Sequence, residues 1–412
     1  MFVRKIAQYS LISTLISSSL VNAKIITQCS SQGTQGNIVG SENIDNQYTI
    51  ASVSKVFTSL WAAEKLGLNY RYPTQIYITD LGNDLYDVHL RGSVFPYFDR
   101  TMFYFLIGEL NKRGIKKINH LTYDENFEYG SIIRTKDDLA HSNGEQSETD
   151  IMKELRSDVT QLKSNYKVFL KKTQPLVKMD LPDSVQLSVK DIHAQSMKQF
   201  NPNNATSTFI LRSSEMHRIL KELNRNSNNF AADKVFERLS RSQKFNDFLT
   251  KSIKVDDKEF NFVNGSGYPE MIDGKKIYNS ATCRTVVEMM KKLMVVSNQQ
   301  GYGLRYIMPV AGYDADADGD STVTNIYLTP VTQGALIAKT GTVDGSVSLA
   351  GTVLTNSDLV YFHATATSGG YNDIKKFLTE LFDEHGGKKE IENYTPKAFV
   401  PFDEKSIEEV KK

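Results

Sequence analysis

Three short motifs occur in a fixed order along this chain of 412 residues: Ser52-Val53-Ser54-Lys55, Ser227-Asn228-Asn229 and Lys339-Thr340-Gly341. A serine and a lysine three residues apart lie on one face of a helix, as an activated serine nucleophile requires. The second motif adds a hydroxyl and an amide, and the third adds an ammonium group on a strand. A chain that uses all three must fold so that distant segments surround one serine.

The first motif opens a predicted helix over 53–66, behind the apolar approach Thr49-Ile50-Ala51. A neutral Lys55 could remove the Ser52 proton, which requires that burial or a second cation lower the pKa of the lysine. Lys339 is the candidate for that second cation. The same spacing recurs at Ser164 and Lys167, but these lie in a charged helical segment and are expected on a solvated face.

The other two motifs each have a structural interpretation beside the functional one. Ser227 could relay a proton to a leaving amine and Asn229 could hold a peptide, or the pair could form only a capping turn in a non-helical loop. Lys339 and Thr340 suit a terminal carboxylate, and Gly341 would let a substrate backbone approach the strand. The alternative is an ordinary exposed strand with a glycine bulge.

The first 23 residues predict a secretory signal peptide. Arg4 and Lys5 precede a mainly apolar run over 6–20, and Val21-Asn22-Ala23 fits the cleavage pattern. A buried N-terminal helix is the alternative. We therefore expect a periplasmic protein without a stable membrane anchor. The formal net charge of +1 and the scattered Lys and Arg exclude a nucleic-acid-binding stripe.

The element pattern predicts an α/β (α+β) fold, an antiparallel sheet flanked by helices whose early and late segments come together. Strands are predicted over 335–342, 346–354 and 359–365, with a turn at Asp344-Gly345. A closing helix carries Ile374, Phe377, Leu378, Leu381 and Phe382 inward and ends at Gly386-Gly387.

We predict a catalytic domain from residues 24–68 and 208–387, interrupted by an inserted mixed domain at 69–207. A strand is expected at 75–78 and a charged helix over 151–172 within the insertion. Residues 388–412 read as a charged, loosely held tail.

Two further features leave alternatives open. Cys29 and Cys283 could form a disulfide in an oxidising compartment, or Cys283 could be a buried free thiol in an apolar stretch. Asp314, Asp316 and Asp318 alternate before Gly319, as at the start of a calcium loop, but position twelve lacks the usual Glu. A solvated acidic turn is the preferred interpretation, and a structural calcium ion is the competing hypothesis. No cofactor is required otherwise.

Taken together, the motifs resemble those of the low-molecular-mass class C penicillin-binding proteins, the DacB-type D-alanyl-D-alanine carboxypeptidase/endopeptidase family. Four further phrases match that family: Tyr72-Pro73-Thr74, Gly114-Ile115-Lys116-Lys117-Ile118, Asn264-Gly265-Ser266-Gly267 and Pro309-Val310-Ala311-Gly312. The resemblance implies a penicillin-binding, β-lactamase-like serine transpeptidase fold. The phrase at 264–267 begins with Asn264 where the family has Asp, and the insertion is short for the family's longer members.

The resemblance also implies roles for the motif residues. Ser52 would be the acylated nucleophile, Lys55 its general base, and Ser227 and Asn229 the lining of the cleft. Lys339, Thr340 and Gly341 would bind the substrate terminus, and the backbone N–H groups of Ser52 and Thr342 would form the oxyanion hole. Peptidoglycan stem peptides would be the substrates and β-lactam antibiotics covalent inhibitors.

Cutting a terminal D-Ala would make the enzyme a carboxypeptidase, and cutting a cross-link an endopeptidase. We favour the endopeptidase because a short insertion would leave the cleft open to larger substrates. One alternative is a serine β-lactamase, although the class A loop that supplies a water-activating Glu is missing where expected. The other is a non-catalytic, peptidoglycan-binding relative, against which the complete motif set counts.

Overall fold

The computed structural model describes residues 24–130, 148–314 and 321–410. The predicted signal peptide, residues 1–23, lies outside these ranges. The strands are β1 (Ile25–Gln32), β2 (Val39–Gly40), β3 (Gln47–Thr49), β4 (Pro73–Asp80), β5 (Tyr86–Arg91), β6 (Lys117–Tyr123), β7 (Ser188–Ala194), β8 (Ser207–Arg212), β9 (Phe260–Asn261), β10 (Glu270–Ile272), β11 (Lys275–Ile277), β12 (Ser280–Thr282), β13 (Leu336–Val343), β14 (Ser346–Leu354), β15 (Leu359–Thr367) and β16 (Ile407–Glu409). The helices are α1 (Ser54–Lys65), α2 (Arg100–Lys112), α3 (Glu148–Thr160), α4 (Leu162–Thr173), α5 (Met216–Asn226), α6 (Asn229–Ser240), α7 (Phe245–Ile253), α8 (Cys283–Gln299), α9 (Thr322–Tyr327) and α10 (Tyr371–Glu384).

The central sheet joins the two ends of the catalytic region. Its order is β13-β14-β15-β1-β2, and neighbouring strands are antiparallel. The predicted strands at 335–342, 346–354 and 359–365 are confirmed as β13, β14 and β15. The turn between the first two contains Gly345 with φ of +81°, a conformation that glycine adopts readily. Strand β1 was not predicted, and it places the start of the described chain beside β15.

Helices cover both faces of this sheet. On one face α10 buries the predicted apolar set, with Ile374 and Leu378 packed among residues of β14 and β15 such as Leu349 and Phe362. On the other face α8 packs against β1, β14, β15 and α1. The predicted helix at 53–66 is confirmed as α1, whose residues 54–63 are all buried. A catalytic side chain on α1 therefore has a rigid support.

A second, mixed sheet combines four strands of the predicted insertion, β4 to β7, with β8 at the end of the insertion and β16 from the C-terminal segment. Its order is β16-β8-β4-β5-β6-β7, with β5, β6 and β7 parallel and the remaining pairs antiparallel. The predicted strand at 75–78 lies within β4. The helix predicted over 151–172 is instead two helices, α3 and α4, because the backbone leaves helical geometry at Gln161. Leu155 of α3 and Tyr166 of α4 are both buried.

The C-terminal segment is well packed, so the prediction of a loosely held tail was wrong. Strand β16 pairs with β8, and Val400 and Phe402 are buried. The ring of Phe402 stacks on Phe105 of α2 at 4.2 Å between centroids. Both residues belong to the short apolar run Ala398-Phe399-Val400-Pro401-Phe402, which packs this segment against the rest of the protein. The proposed domain boundaries themselves stay a prediction.

Cys29 and Cys283 form a disulfide that joins β1 to the first residue of α8. Of the two alternatives for these cysteines, the structure contains the disulfide. None of the helices in the described ranges has the length and apolar character needed to span a lipid bilayer.

Candidate active site

Ser52 lies in a 3-10 turn, Ala51–Val53, that leads directly into α1. Ala51 has φ of +48°, a left-handed conformation that a non-glycine residue keeps only when its surroundings impose it. One such constraint comes from the central sheet, where the Ser348 hydroxyl donates a hydrogen bond to the Ile50 carbonyl at 2.8 Å. The turn holds Ser52 half-buried between two fully buried neighbours.

Lys55 is the second residue of α1, one turn after Ser52, and its side chain is fully buried. Its Nζ lies 2.9 Å from Ser52 Oγ, 2.6 Å from Asn229 Oδ1 and 2.8 Å from the Ser266 carbonyl oxygen. A neutral amine has two N–H bonds and one lone pair. Donation to Asn229 and Ser266 would therefore direct the lone pair at the Ser52 hydroxyl. Burial lowers the pKa of Lys55 to about 7, although the charge of Asp233 opposes that shift.

The second motif joins two helices, and only part of it lies in the predicted non-helical loop. Ser227 follows α5 with φ of +55°, and the Asn228 side chain caps α6 by accepting from the Ala231 N–H at 2.9 Å. Asn229 is thus the first residue of α6 rather than part of a loop. The capping interpretation holds for Asn228, while Ser227 and Asn229 contact the two lysines.

Lys339 lies on β13 and is fully buried. Its Nζ donates to Ser227 Oγ at 2.9 Å and to the Thr340 carbonyl at 2.7 Å. Burial, and then the charge of Lys55, hold the pKa of Lys339 well below its usual range. The three motifs thus meet through Lys55–Ser52, Lys55–Asn229 and Lys339–Ser227 contacts.

The rest of the third motif borders the nucleophile turn. Thr340 is buried, whereas Thr342 is exposed and its hydroxyl lies 3.5 Å from that of Tyr371. At Gly341, an added Cβ would lie 2.5 Å from the Ile50 oxygen and 2.4 Å from Ser348 Oγ. The missing side chain therefore makes room for the protein's own backbone, not only for a substrate.

Sequence reasoning missed a buried support behind Lys55. The Asp233 carboxylate accepts a hydrogen bond from the Ser266 N–H at 2.8 Å, and the Ser266 carbonyl accepts from Lys55. In the same loop, Gly267 has φ of +76°, and a Cβ there would lie 2.0 Å from the Ala51 oxygen. One signal was present in the sequence, because Asp233 follows Asn229 by four residues and so shares its helix face.

The possible calcium site falls largely outside the described residues, since Asp316 and Asp318 lie in the gap. Asp314 is buried, and its carboxylate accepts from the Lys221 ammonium, the Val310 N–H and the Tyr394 hydroxyl at 2.5–2.6 Å. Within residues 24–130, 148–314 and 321–410, no group of three or more His, Cys, Asp and Glu side chains is arranged to hold a metal ion. The calcium hypothesis stays a prediction.

Comparison with known proteins identifies a peptidase family and solved structures that are similar to this chain. The family model described as D-Ala-D-Ala carboxypeptidase 3 (S13) matches residues 20–134 and 186–376. A predatory peptidoglycan endopeptidase from Bdellovibrio bacteriovorus is 29% identical, with a TM-score of 0.85 over 94% of this chain and 100% of that one. Its penicillin G-acylated form, in complex with an immunity protein, is 30% identical with a TM-score of 0.83 over the same shares.

A more distant structure shares the fold. Penicillin-binding protein 4 (dacB) from Haemophilus influenzae is 17% identical with a TM-score of 0.59, over 89% of this chain and 97% of that one. No curated protein matches the chain.

Proposed function

We propose that this chain, which belongs to the D-Ala-D-Ala carboxypeptidase 3 (S13) family, is a periplasmic serine peptidase that cleaves peptidoglycan stem peptides through an acyl-enzyme on Ser52. The observation that carries the proposal is the Lys55 amine, buried and 2.9 Å from the Ser52 hydroxyl. A lysine whose pKa burial lowers to about 7 is partly neutral at neutral pH and can act as a general base. The predicted signal peptide supports the periplasmic location.

Acylation begins when Ser52 Oγ attacks the carbonyl carbon of a D-Ala residue in the stem peptide. Lys55 takes the hydroxyl proton as the Oγ–C bond forms. Negative charge develops on the carbonyl oxygen, and the backbone N–H groups of Ser52 and Thr342 are the proposed donors to it. The loss of one such donor typically raises a barrier by about 2.7–4 kcal/mol.

Collapse of the intermediate breaks the C–N bond, and the departing nitrogen needs one proton. Ser227, whose Oγ lies 2.9 Å from Lys339 Nζ, is the hydroxyl placed to relay it. Ser227 gives its hydroxyl proton to the nitrogen, and Lys55 returns the proton taken from Ser52, so that Ser227 and both lysines end the step as they began and the net transfer is from Ser52 to the amine. Water then attacks the ester, which restores the free serine and releases the shortened peptide.

The substrate terminus fits the Lys339–Thr342 strand. The first half of the outer edge of β13 pairs with the chain near Pro309, where the Ala338 N–H donates to the Pro309 carbonyl at 3.2 Å. The part from Thr340 onward extends past this pairing, towards the nucleophile turn. An extended peptide could add to this edge while its carboxylate meets Lys339 and Thr340.

We further propose that cross-linked peptides are preferred over free termini. The similar Bdellovibrio protein is described as a peptidoglycan endopeptidase, and this chain covers its whole length. Digestion of purified sacculi tests the preference. Loss of cross-linked dimers is expected, whereas loss of monomer pentapeptides with dimers untouched would reverse the assignment.

Mass spectrometry after benzylpenicillin treatment tests the mechanism. We expect a long-lived one-to-one adduct that peptide mapping places on Ser52, and none on the Ser52→Ala variant. Ser164→Ala is a matched control, because Ser164 belongs to the second serine–lysine pair on the exposed face of α4. Absence of an adduct would contradict the proposal, and rapid turnover of the drug would identify a β-lactamase instead.

A further inference from the structure

We propose that Asp233 is a positioning residue for the catalytic base: its carboxylate fixes the loop that orients the Lys55 amine and is the counter-ion of the ammonium that forms there during acylation. This inference rests on the proposed function. It assigns a part to a residue outside the three motifs.

The geometry places Asp233 behind the base. Asn229 and Asp233 are one turn apart on α6, so both project from one face of that helix. Asn229 contacts Lys55 directly at 2.6 Å. Asp233 acts through Ser266, whose N–H donates to the Asp233 carboxylate at 2.8 Å and whose carbonyl accepts from Lys55 Nζ at 2.8 Å. The two polar groups of one backbone residue therefore connect the carboxylate to the amine.

The charges around Lys55 are few. Helix α6 contributes Asp233, whose charge raises the pKa of Lys55, and β13 contributes Lys339, whose own pKa is lowered by burial and by the charge of Lys55. The loop at 264–267 has no charged side chain. Helix α5 contributes the neutral Asn224, which bonds Ser59 one turn further along α1. Helix α8 meets α1 in the Lys292–Glu64 ion pair near the other end of α1. Among the described residues, Asp233 is thus the carboxylate that acts on this amine.

The reaction explains why a carboxylate is useful there. When Lys55 takes the Ser52 proton, a positive charge forms in a buried environment, where an unpaired charge is costly. The Asp233 charge raises the pKa of Lys55 and so makes it a stronger base, while burial keeps that pKa at about 7. Burial in turn raises the pKa of the Asp233 carboxyl, while the charge of Lys55 and the hydrogen bonds from the Ser266 loop favour its ionised form.

The test is the pH dependence of Ser52 acylation by benzylpenicillin in the Asp233→Asn variant. The Asn carbonyl can still accept from the Ser266 N–H, so the loop keeps its hydrogen bond while the charge is removed. The fall in acylation rate on the low-pH side of the profile, its acid limb, reports an apparent pKa that belongs to Lys55 and Asp233 together. We expect it to move to lower pH by about one unit, and the plateau rate to fall about tenfold because the amine is a weaker base.

Two further variants separate charge from structure. Asp233→Glu keeps the carboxylate and should keep the limb near its wild-type position at a reduced rate. Asp247→Asn makes the same chemical change at an exposed position of α7 and should alter neither the limb nor the rate. If Asp233→Asn does not fold, Asp233→Ser removes the charge with a smaller polar group and permits the same measurement.

The outcomes are distinct. A slower Asp233→Asn enzyme whose acid limb coincides with wild type would show a purely structural role and overturn this inference. If wild-type Ser52 is not acylated at all, the proposed function itself fails. Normal acylation in wild type with an unmoved limb in every Asp233 variant leaves that function intact and rejects only the role of Asp233.

Discussion

Replacement of Gly341 with Ala should destabilise the protein and also slow the acylation of Ser52. The reason is that the space beside this glycine is filled by the turn that carries Ser52, Ala51–Val53. The new Cβ would lie 2.5 Å from the Ile50 oxygen and 3.1 Å from the Ala51 Cβ. Contacts between such atoms are comfortable at roughly 3.5 Å, so β13 and the turn must separate by about 1 Å.

The expected magnitudes follow from that displacement. Overpacking of this kind costs about 1–3 kcal/mol of unfolding free energy. At about 2 °C per kcal/mol for a large domain, the Tm should fall by about 2–6 °C. A displacement of about 1 Å at a reacting group can cost about 100-fold in rate, so acylation by benzylpenicillin should slow by up to that factor.

Thermal unfolding and stopped-flow acylation are measured on the same preparations. Gly303→Ala is the matched control, because Gly303 has φ of −95° and no atom within 4 Å of an added Cβ. Its Tm and rate should stay at wild-type values. A Gly341→Ala protein with wild-type Tm and a raised KM alone would show that the glycine serves only the approach of substrate, and would refute the packing argument.

Four other predictions concern separate features. Acylation should decline below about pH 7, because Lys55 then carries the proton it must accept; a flat profile down to pH 5 would contradict the assignment of the base. Removal of the Cys29–Cys283 disulfide by double Ser substitution should cost about 2–5 kcal/mol of stability in denaturant unfolding, and wild type under reductant should approach the same value. Phe402→Ala should cost about 3–5 kcal/mol, whereas a loose tail would give a change below about 0.5 kcal/mol. Calorimetry with millimolar calcium should show no binding heat, since the Asp314 carboxylate is already occupied by three donors; saturable heat would favour the calcium loop.

The sequence predicted elements whose burial follows a simple apolar pattern. Helix α10 and strands β13 to β15 have regular apolar faces, and Asp344-Gly345 marks their first turn. Strand β1 escaped notice because its inward residues are Thr27, Cys29 and Ser31 rather than large apolar ones. Burial of small polar side chains depends on partners far along the chain, which apolar alternation does not reveal.

The same limit explains the error in the C-terminal segment. Composition described it as charged, but packing depends on Val400 and Phe402 and on the Arg71–Asp403 ion pair. The ion pair joins residues 332 positions apart, and Phe402 packs on the similarly distant segment around Phe105 of α2. A local window therefore detects the charge and misses the contact.

The parts of the active site that could be predicted are those in which side chains carry out the chemistry. Ser52, Lys55 and Lys339 are recognisable because acyl transfer needs a nucleophile and an amine of lowered pKa, and few residue types supply them. The acceptor that orients Lys55 is a backbone carbonyl, at Ser266, which any residue could provide. Its position depends on glycine packing against Ala51 and on a carboxylate one helical turn beyond Asn229. Since a base is defined by where its lone pair points as much as by its identity, the part of the site that sets its reactivity becomes visible only once the backbone is in place.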